Sequence, residues 1–481
     1  IAPSLSLEEP RALRVMSFLC QNREARPLSR REMLRTSSAG FGALALQGLL
    51  AEEARAGSAL APKSPPLPAK AKRVIFLFMH GGPSQVDLFD HKPLLTRDDN
   101  KPLPFDKPRI VSAKTGNLLA SPWKFKQHGE SGAEVSEILP HIASIVDDLC
   151  IVRSIYGSNS RHGGALLELH TGSDTFTRPS MGSWINYGLG TENQNLPGYL
   201  TINPSSSHGG SNAWSSAFLP AHFQGTRIGG KGKGMTVPFI ESPIKDRNLQ
   251  RQELDLLNAI NGDHLVRRAG DSELEARIAS YELAFRMQME APKVQDVSGE
   301  PESIRKLYGL DQGNTRKFGE QCLMARRYSE AGVRFVQVTH RYWDQHGGLK
   351  KDHARLAGEM DQPVAALITD LKQRGLLEDT LVLWGGEFGR TPVAQGRDGR
   401  DHNPHGFTMF LAGGGMKAGL QYGATDEYGY YATENRVHFH DLHATMLHQM
   451  GIDHKELTYR YAGRDFRLTD VYGRVVKDLL A

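Results

Sequence analysis

Carboxylates and imidazoles recur just beyond strand-like runs of this chain. His80-Gly81-Gly82-Pro83-Ser84 follows the apolar run 74–79, with Asp87 and Asp90 a few residues on. Ser158, Ser160 and His162 follow the run 149–155, Asp344 and His346 follow 333–339, and Glu387 and Arg390 follow 380–385. Asp401, His402 and His405, in "GRDHNPHG", stand directly before the run 406–413. Asp and His side chains drawn from separate loops are the donor set with which proteins hold Zn²⁺ or Mn²⁺. Asp344-x-His346 and Asp401-His402-x-x-His405 are the most tightly spaced pieces of such a set.

Other residues carry two readings. Ser158-Asn159-Ser160 precedes a helical run from Arg161, so a hydroxyl there either caps the helix or serves as a nucleophile beside a metal. Arg390 either clamps a substrate oxyanion or pairs with Glu387. His80 reads as the first wall of the centre, with Asp87 and Asp90 fixing the loop or supporting the ligands. Gly81 and Gly82 let backbone approach that centre closely. Among His438, His440, His443 and His448, two or more read as surface residues, with His438 or His440 able to face the site and Asp441 as a helix cap.

The elements that must position these groups alternate along the chain. Strand-like runs at 73–79, 149–155, 198–202, 333–339, 380–385 and 406–413 are separated by helical patterns at 133–149, 161–172, 314–332 and 349–375. Such alternation predicts an α/β fold, a three-layer α/β/α sandwich with a mainly parallel central sheet. Ligands of open α/β sheets lie past the carboxyl ends of the strands, where the Asp and His loops fall. The stretch 203–292 breaks the alternation. It reads as a Ser/Gly-rich loop at 203–234 followed by a charged helical hairpin at 247–289, an insertion on the core.

The N-terminus reads as an export signal. Arg30-Arg31, a short apolar run over 39–50 and Ala54-Arg55-Ala56 are the features of a twin-arginine signal peptide within an N-terminal extension, residues 1–56. The apolar run is too short to span a bilayer. Residues 57–72, rich in Pro, Ala and Lys, read as a linker to the domain 73–481. The expected location is periplasmic or extracellular. A net charge of +4 over 481 residues gives no footprint for nucleic acid, and three cysteines build no disulfide framework.

"HGGPSQVDLFDHKP", "WDQHGG", "LVLWGGEFGRTP", "GRDHNPHGFTMFLAGGGMKAG" and "YGATDEYGYYATENRVHFHDLHATMLHQMGID" occur in that order and together resemble the domain-of-unknown-function 1501 family. The resemblance runs from about residue 72 to the end. That family is itself similar to the alkaline phosphatase and sulfatase superfamily, which implies an alkaline-phosphatase-like fold with two metals and a nucleophile at a helix N-terminus. Carried over by position, it implies one metal site from Asp344, His346 and His405. His80, Glu387, Asp401 and His402 are further ligands, and Phe388 stands where the superfamily has a His. Ser158 or Ser160 takes the place of the nucleophile.

These readings converge on an exported hydrolase of phosphate or sulfate esters, acting on a small-molecule or polysaccharide substrate. It would use one or two divalent metal ions (Zn²⁺, Mn²⁺ or Ca²⁺). The metal residues are His80, Asp344, His346, Glu387, Asp401, His402 and His405; the catalytic ones are Ser158, Ser160, His162 and Arg390. The alternative is a catalytically lapsed relative that binds polysaccharide or envelope, with Trp214, His208 and His222 stacking on sugars.

Overall fold

Val74, Ile75, Phe76, Leu77, Phe78 and Met79 alternate between two apolar layers, which is what a strand covered on both faces requires. They belong to β1 (Arg73–Met79) of a computed structural model that describes residues 60–106, 114–229, 237, 240–268 and 272–481. Strands β2 (Leu149–Tyr156), β3 (Tyr199–Ile202), β4 (Thr226–Ile228), β5 (Phe335–His340) and β6 (Thr380–Gly385) join its sheet. β7 (Gly389–Gln395) and β8 (Gly399–Asn403) pair in a smaller antiparallel sheet. β9 (Phe407–Ala412), β10 (Gln421–Tyr422) and β11 (Val437–His438) complete the large one.

The nine-stranded sheet runs in the order β10-β2-β9-β6-β1-β5-β3-β4, with β11 also paired to β2. Its strands point one way except β9, which pairs antiparallel with β2 and β6. That reversal matters for the site. The residues entering β9 lie at the same edge as the residues leaving β2 and β6, as the pairing of Phe407 with Ile155 shows.

Helices α1 (His162–Thr171), α2 (Met181–Leu189), α3 (Arg247–Arg267), α4 (Ser272–Gln295), α5 (Arg316–Glu330), α6 (Leu349–Gln373) and α7 (Phe439–Gln449) follow in chain order. Leu323 of α5 and Val364 of α6 pack with Ile75 and Leu77 on one sheet face. Leu166 of α1, Ile185 of α2 and Met446 of α7 pack with Phe76 and Phe78 on the other. The fold is thus the expected three-layer α/β/α sandwich, with the α3–α4 hairpin added outside it.

Three expectations change. Residues 133–149 do not form one helix: Ala133–Ser136 is a strand of a hairpin and only Pro140–Ala143 is helical. Pro140 disfavours helix in the residue before it and can only begin one, so the helical periodicity across it was accidental. The loop after 203 contains β4 within its described part, and its Trp214 is buried in the core rather than offered to a sugar. The segment 60–72 is bound along the domain: Lys63 donates to the Leu189 carbonyl and Leu67 to that of Gly451, and Leu60 and Ala71 are buried. Residues 1–59, on which the export signal falls, lie outside the described residues.

Candidate metal centre

Four side chains from three segments meet at the carboxyl edge of the sheet: the start of α1, the loop after β5, and β8. His162, Asp344, His346 and His402 each bring one ligand atom to within 4.8 Å of the others. Asp344 follows β5, and its Oδ1 lies 2.9 Å from His346 Nε2 and 3.2 Å from His402 Nε2. Its Oδ2 lies 3.2 Å from His162 Nε2, at the first position of α1.

The opposite nitrogen of each ring is already held. His162 Nδ1 lies 2.8 Å from Glu387 Oε1, and His402 Nδ1 lies 2.7 Å from the carbonyl of Ser160. His346 Nδ1 contacts the side-chain oxygen of Gln395. Carboxylate and carbonyl oxygens only accept, so these Nδ1 atoms carry the hydrogens. A neutral ring then turns its Nε2 lone pair towards Asp344, whose oxygens are also acceptors. Lone pairs meeting an anion need a positive charge between them, a metal ion or, without one, a proton on the ring. The contact of His162 Nε2 with Asp344 lacks hydrogen-bond geometry, and that buried nitrogen has no other partner. Three imidazoles and one carboxylate form a donor set suited to a divalent transition metal, and Nδ1–H held by a carboxylate or carbonyl is the usual support of such ligands.

The electrostatics point the same way. Burial alone would raise Asp344, but the His162, His346 and His402 rings against it and the charge of Arg390 hold it well below the ordinary carboxylate range. Burial opposes a charge on His162, yet Asp344 and Glu387 lift its pKa to about 9. His346 is raised by its bond to Asp344, whereas burial lowers His402. The cluster therefore attracts positive charge but cannot comfortably take a proton on every ring.

The first loop is shaped for close approach. Gly81 has φ of 116° and Gly82 of 90°, and a Cβ on them would meet the Trp343 backbone at 2.9 Å and the Phe388 ring at 2.6 Å. The Gly81 N–H donates to Glu387, at 3.0 Å from Oε1 and 3.1 Å from Oε2. Both Glu387 oxygens thus accept from Gly81, and Oε1 also holds His162, which places Glu387 behind the four-residue cluster. Burial keeps its pKa from falling further, but His162 and His80 bring it to about 2. His80 is buried with Nε2 unpartnered, and its ring lies 6.1 Å from that of His162 and 5.6 Å from that of His208. These rings, Asp344 and Ser205–Ser207 line a cavity of about 450 Å³. His208 stacks on His162 at 4.5 Å.

Other expected residues lie elsewhere. Asp401 precedes His402 on β8, and neighbouring side chains of a strand point to opposite faces. Its Oδ1 accepts the His402 N–H at 2.8 Å instead of joining the cluster. His405 is outside the cluster too, its ring 5.5 Å from that of Tyr431. Arg390 is buried and bonds Gly82 O at 2.9 Å, Arg400 O at 3.2 Å, Trp343 O at 2.9 Å and Asp344 Oδ1 at 2.7 Å. Buried and bonded through all three nitrogens, it holds Asp344 in place and is not presented to a substrate. Asp87 is paired with the buried Arg400, and Asp90 with Lys92 and Thr425, so both fix the loop.

Neither serine caps α1; its N-cap is Arg161, with no side-chain cap bond. Ser160 reaches the centre through its carbonyl. Ser158 faces away: its Oγ lies 3.3 Å from His438 Nε2. His438 Nδ1 accepts the His440 N–H, so Nε2 carries the proton, 3.2 Å from Glu168, and cannot serve as base for that hydroxyl. Sequence reading missed Gln395 as a support and His162 as a member of the ligand cluster. A signal for the latter was present: "SRHGG" puts an imidazole at a helix start beside a strand end.

Among solved structures, the chain is similar to the lipoteichoic acid synthase LtaP from Listeria monocytogenes, with 12% identity over 87% of this chain and 80% of that one and a TM-score of 0.35. It is also similar to the PsFucS1 sulfatase from Pseudoalteromonas sp., with 14% identity, coverage of 85% and 71%, and a TM-score of 0.34. The C-terminal periplasmic domain of EcEptC from Escherichia coli, in complex with Zn, gives 9% identity, coverage of 87% and 99%, and a TM-score of 0.35. At these TM-scores none of them bears on the role of any residue. No curated protein matches the chain. The family described as proteins of unknown function, DUF1501, matches residues 71–480, and the chain belongs to it.

Proposed function

We propose that this protein is a metal-dependent hydrolase of phosphate or sulfate esters, with His162, Asp344, His346 and His402 holding one divalent metal. The observation that carries the reading is the convergence of three Nε2 atoms on Asp344 while every Nδ1 is engaged. A metal there, when bound, supplies a Lewis acid and lowers the pKa of water. Hydrolysis adds the oxygen of water to phosphorus or sulfur and returns its proton to the ester oxygen that leaves. His80 suits that transfer. Burial holds its pKa below the ordinary imidazole value, so it is neutral near pH 7 and can take and release a proton at Nε2. His208 and Ser205–Ser207 wall the cavity in which the ester would lie. Water rather than Ser158 is the nucleophile in this scheme.

The experiment is elemental analysis of the purified protein, followed by turnover of nitrophenyl phosphate and nitrophenyl sulfate with added Zn²⁺, Mn²⁺ or Ca²⁺. About one metal per chain and turnover of either ester is expected. Stoichiometric metal without turnover of either would favour the binding role, and no metal would end both the ligand assignment and the hydrolase. Export by the twin-arginine route belongs to the same proposal, on the strength of Arg30-Arg31 and the apolar run after it. Replacing both arginines with lysine should keep the protein in the cytoplasmic fraction; unchanged fractionation would refute that part alone.

A further inference from the structure

A second cavity, of about 850 Å³, opens on the other side of residues 157–161. Ser158 is in its wall, while Ser160 supports His402 through its carbonyl. Two residues of extended chain reach about 7 Å, so one short loop separates this cleft from the metal centre. A group bound in the cleft would be the near neighbour of one whose ester lies at the centre.

The cleft is cationic. Lys455, Arg467 and Arg474 line it with a single carboxylate, Asp441. That carboxylate is committed: Oδ2 accepts the His438 N–H at 3.2 Å and Oδ1 the Arg474 N–H at 2.9 Å, and the Arg474 guanidinium lies 3.6 Å away. Asp470, beside the cleft, is held by Arg178 and Arg464. Lys455 and Arg467 have no ion pair among the described residues, and Arg467 bonds only the Asp470 carbonyl. Their charges are felt locally. Burial and then Arg467 and Lys455 push His454 below the ordinary imidazole value.

The cleft also holds an aromatic platform. Tyr472 is 62% exposed, yet its ring is fixed by stacking on His440 at 5.2 Å and 19°. A large exposed ring held flat beside two unspent cations is the complement of a ring that carries an anionic substituent. Its apolar face packs on tyrosine, and its oxyanion takes the ammonium and guanidinium hydrogens. We propose that this cleft binds a sugar unit bearing a sulfate or phosphate, adjacent in the polymer to the unit whose ester reaches the metal centre. The adjacency rests on the hydrolase reading; the binding does not.

Calorimetric titration of the full chain with a sulfated hexasaccharide, a phosphorylated one, the neutral counterpart and inorganic sulfate separates the cases. The anionic oligosaccharide should bind at least about tenfold more tightly than the neutral one, and more weakly at high salt. Whichever of sulfate and phosphate binds more tightly names the substituent. The double variant Lys455→Gln/Arg467→Gln should lose about tenfold or more, with an unchanged melting temperature showing that it is folded. Tyr472→Ala should weaken the oligosaccharide but leave inorganic sulfate as it was. In His402→Ala the anionic oligosaccharide should still bind more tightly than the neutral one, and Lys455→Gln/Arg467→Gln added to it should still remove that preference, which keeps this test independent of hydrolysis. Absence of binding to either anionic oligosaccharide would overturn the proposal. So would a double variant equal to the wild type, or inorganic sulfate binding as tightly as the oligosaccharide.

Discussion

Two groups of histidines face away from each other across residues 157–161, and they are wired in opposite senses. On one side His162, His346 and His402 spend Nδ1 on oxygen acceptors and aim Nε2 at a shared carboxylate. On the other, His440 Nε2 donates to Gly172 O at 2.8 Å and His443 Nε2 to Leu169 O at 2.7 Å, and His438 uses Nδ1 to cap a helix. The first arrangement leaves lone pairs that call for a cation. The second consumes hydrogens in tying α7 to α1. Histidine density alone therefore does not locate a metal; the partner of the second nitrogen does.

The hardest way to break this comparison is to remove one ring from each side. His346→Ala or His402→Ala should abolish stoichiometric metal and reduce turnover by about 10³-fold or more, the scale of losing a group on which the reaction depends. His440→Ala should keep the metal. Elemental analysis of the three variants decides it, and equal metal content in all three would dissolve the distinction between the groups.

Much of the fold was legible because its strands are apolar runs closed by Gly, Pro or polar residues, and its helices carry long amphipathic patterns. Asp344, His346 and His402 were legible as candidate ligands because each stands in a loop or turn beside such a run. What was not legible depends on direction and on the other end of a contact. A strand's orientation in a sheet leaves no mark on its own sequence, so the antiparallel run of β9, which delivers His402 to the same edge as Glu387, had to be observed. Asp401 looked equivalent to its neighbour His402 until β8 formed and its alternation turned one inward and the other away. Arg390 looked like a substrate clamp because nothing in "EFGRTP" reveals that carbonyls of Gly82, Trp343 and Arg400 would take its hydrogens. Ser158 and Ser160, two residues apart, ended on opposite sides of the same loop.

A gentler test keeps every ligand and alters only the wiring. Glu387→Gln leaves a side chain of the same shape but removes the charge that fixes His162 Nδ1–H, and its amide can no longer accept with both atoms from Gly81 and His162. Metal affinity should fall by about 10- to 100-fold, as for other supports of metal-bound histidine. Competition with a chelator of known affinity measures it. An unchanged affinity would mean that His162 is held by its position on α1 and not by the carboxylate.

The smallest effect is expected on the far side of the loop. His438 takes the place of a helix N-cap, its ring accepting the His440 N–H while Asp441 accepts its own backbone N–H in return. His438→Ala should therefore cost about 0.5–2 kcal/mol of stability, as lost N-caps do. His438→Asn, which restores a capping acceptor, should recover most of it. Metal content and turnover should stay with the wild type in both, because the ring gives Ser158 a hydrogen rather than a base. Thermal melts read the first expectation and ester turnover the second. A His438→Ala protein that melts normally but no longer turns over ester would invert the assignment. It would show that Ser158 is activated from the cleft side, and that the loop separating the two groups of histidines is itself where the chemistry occurs.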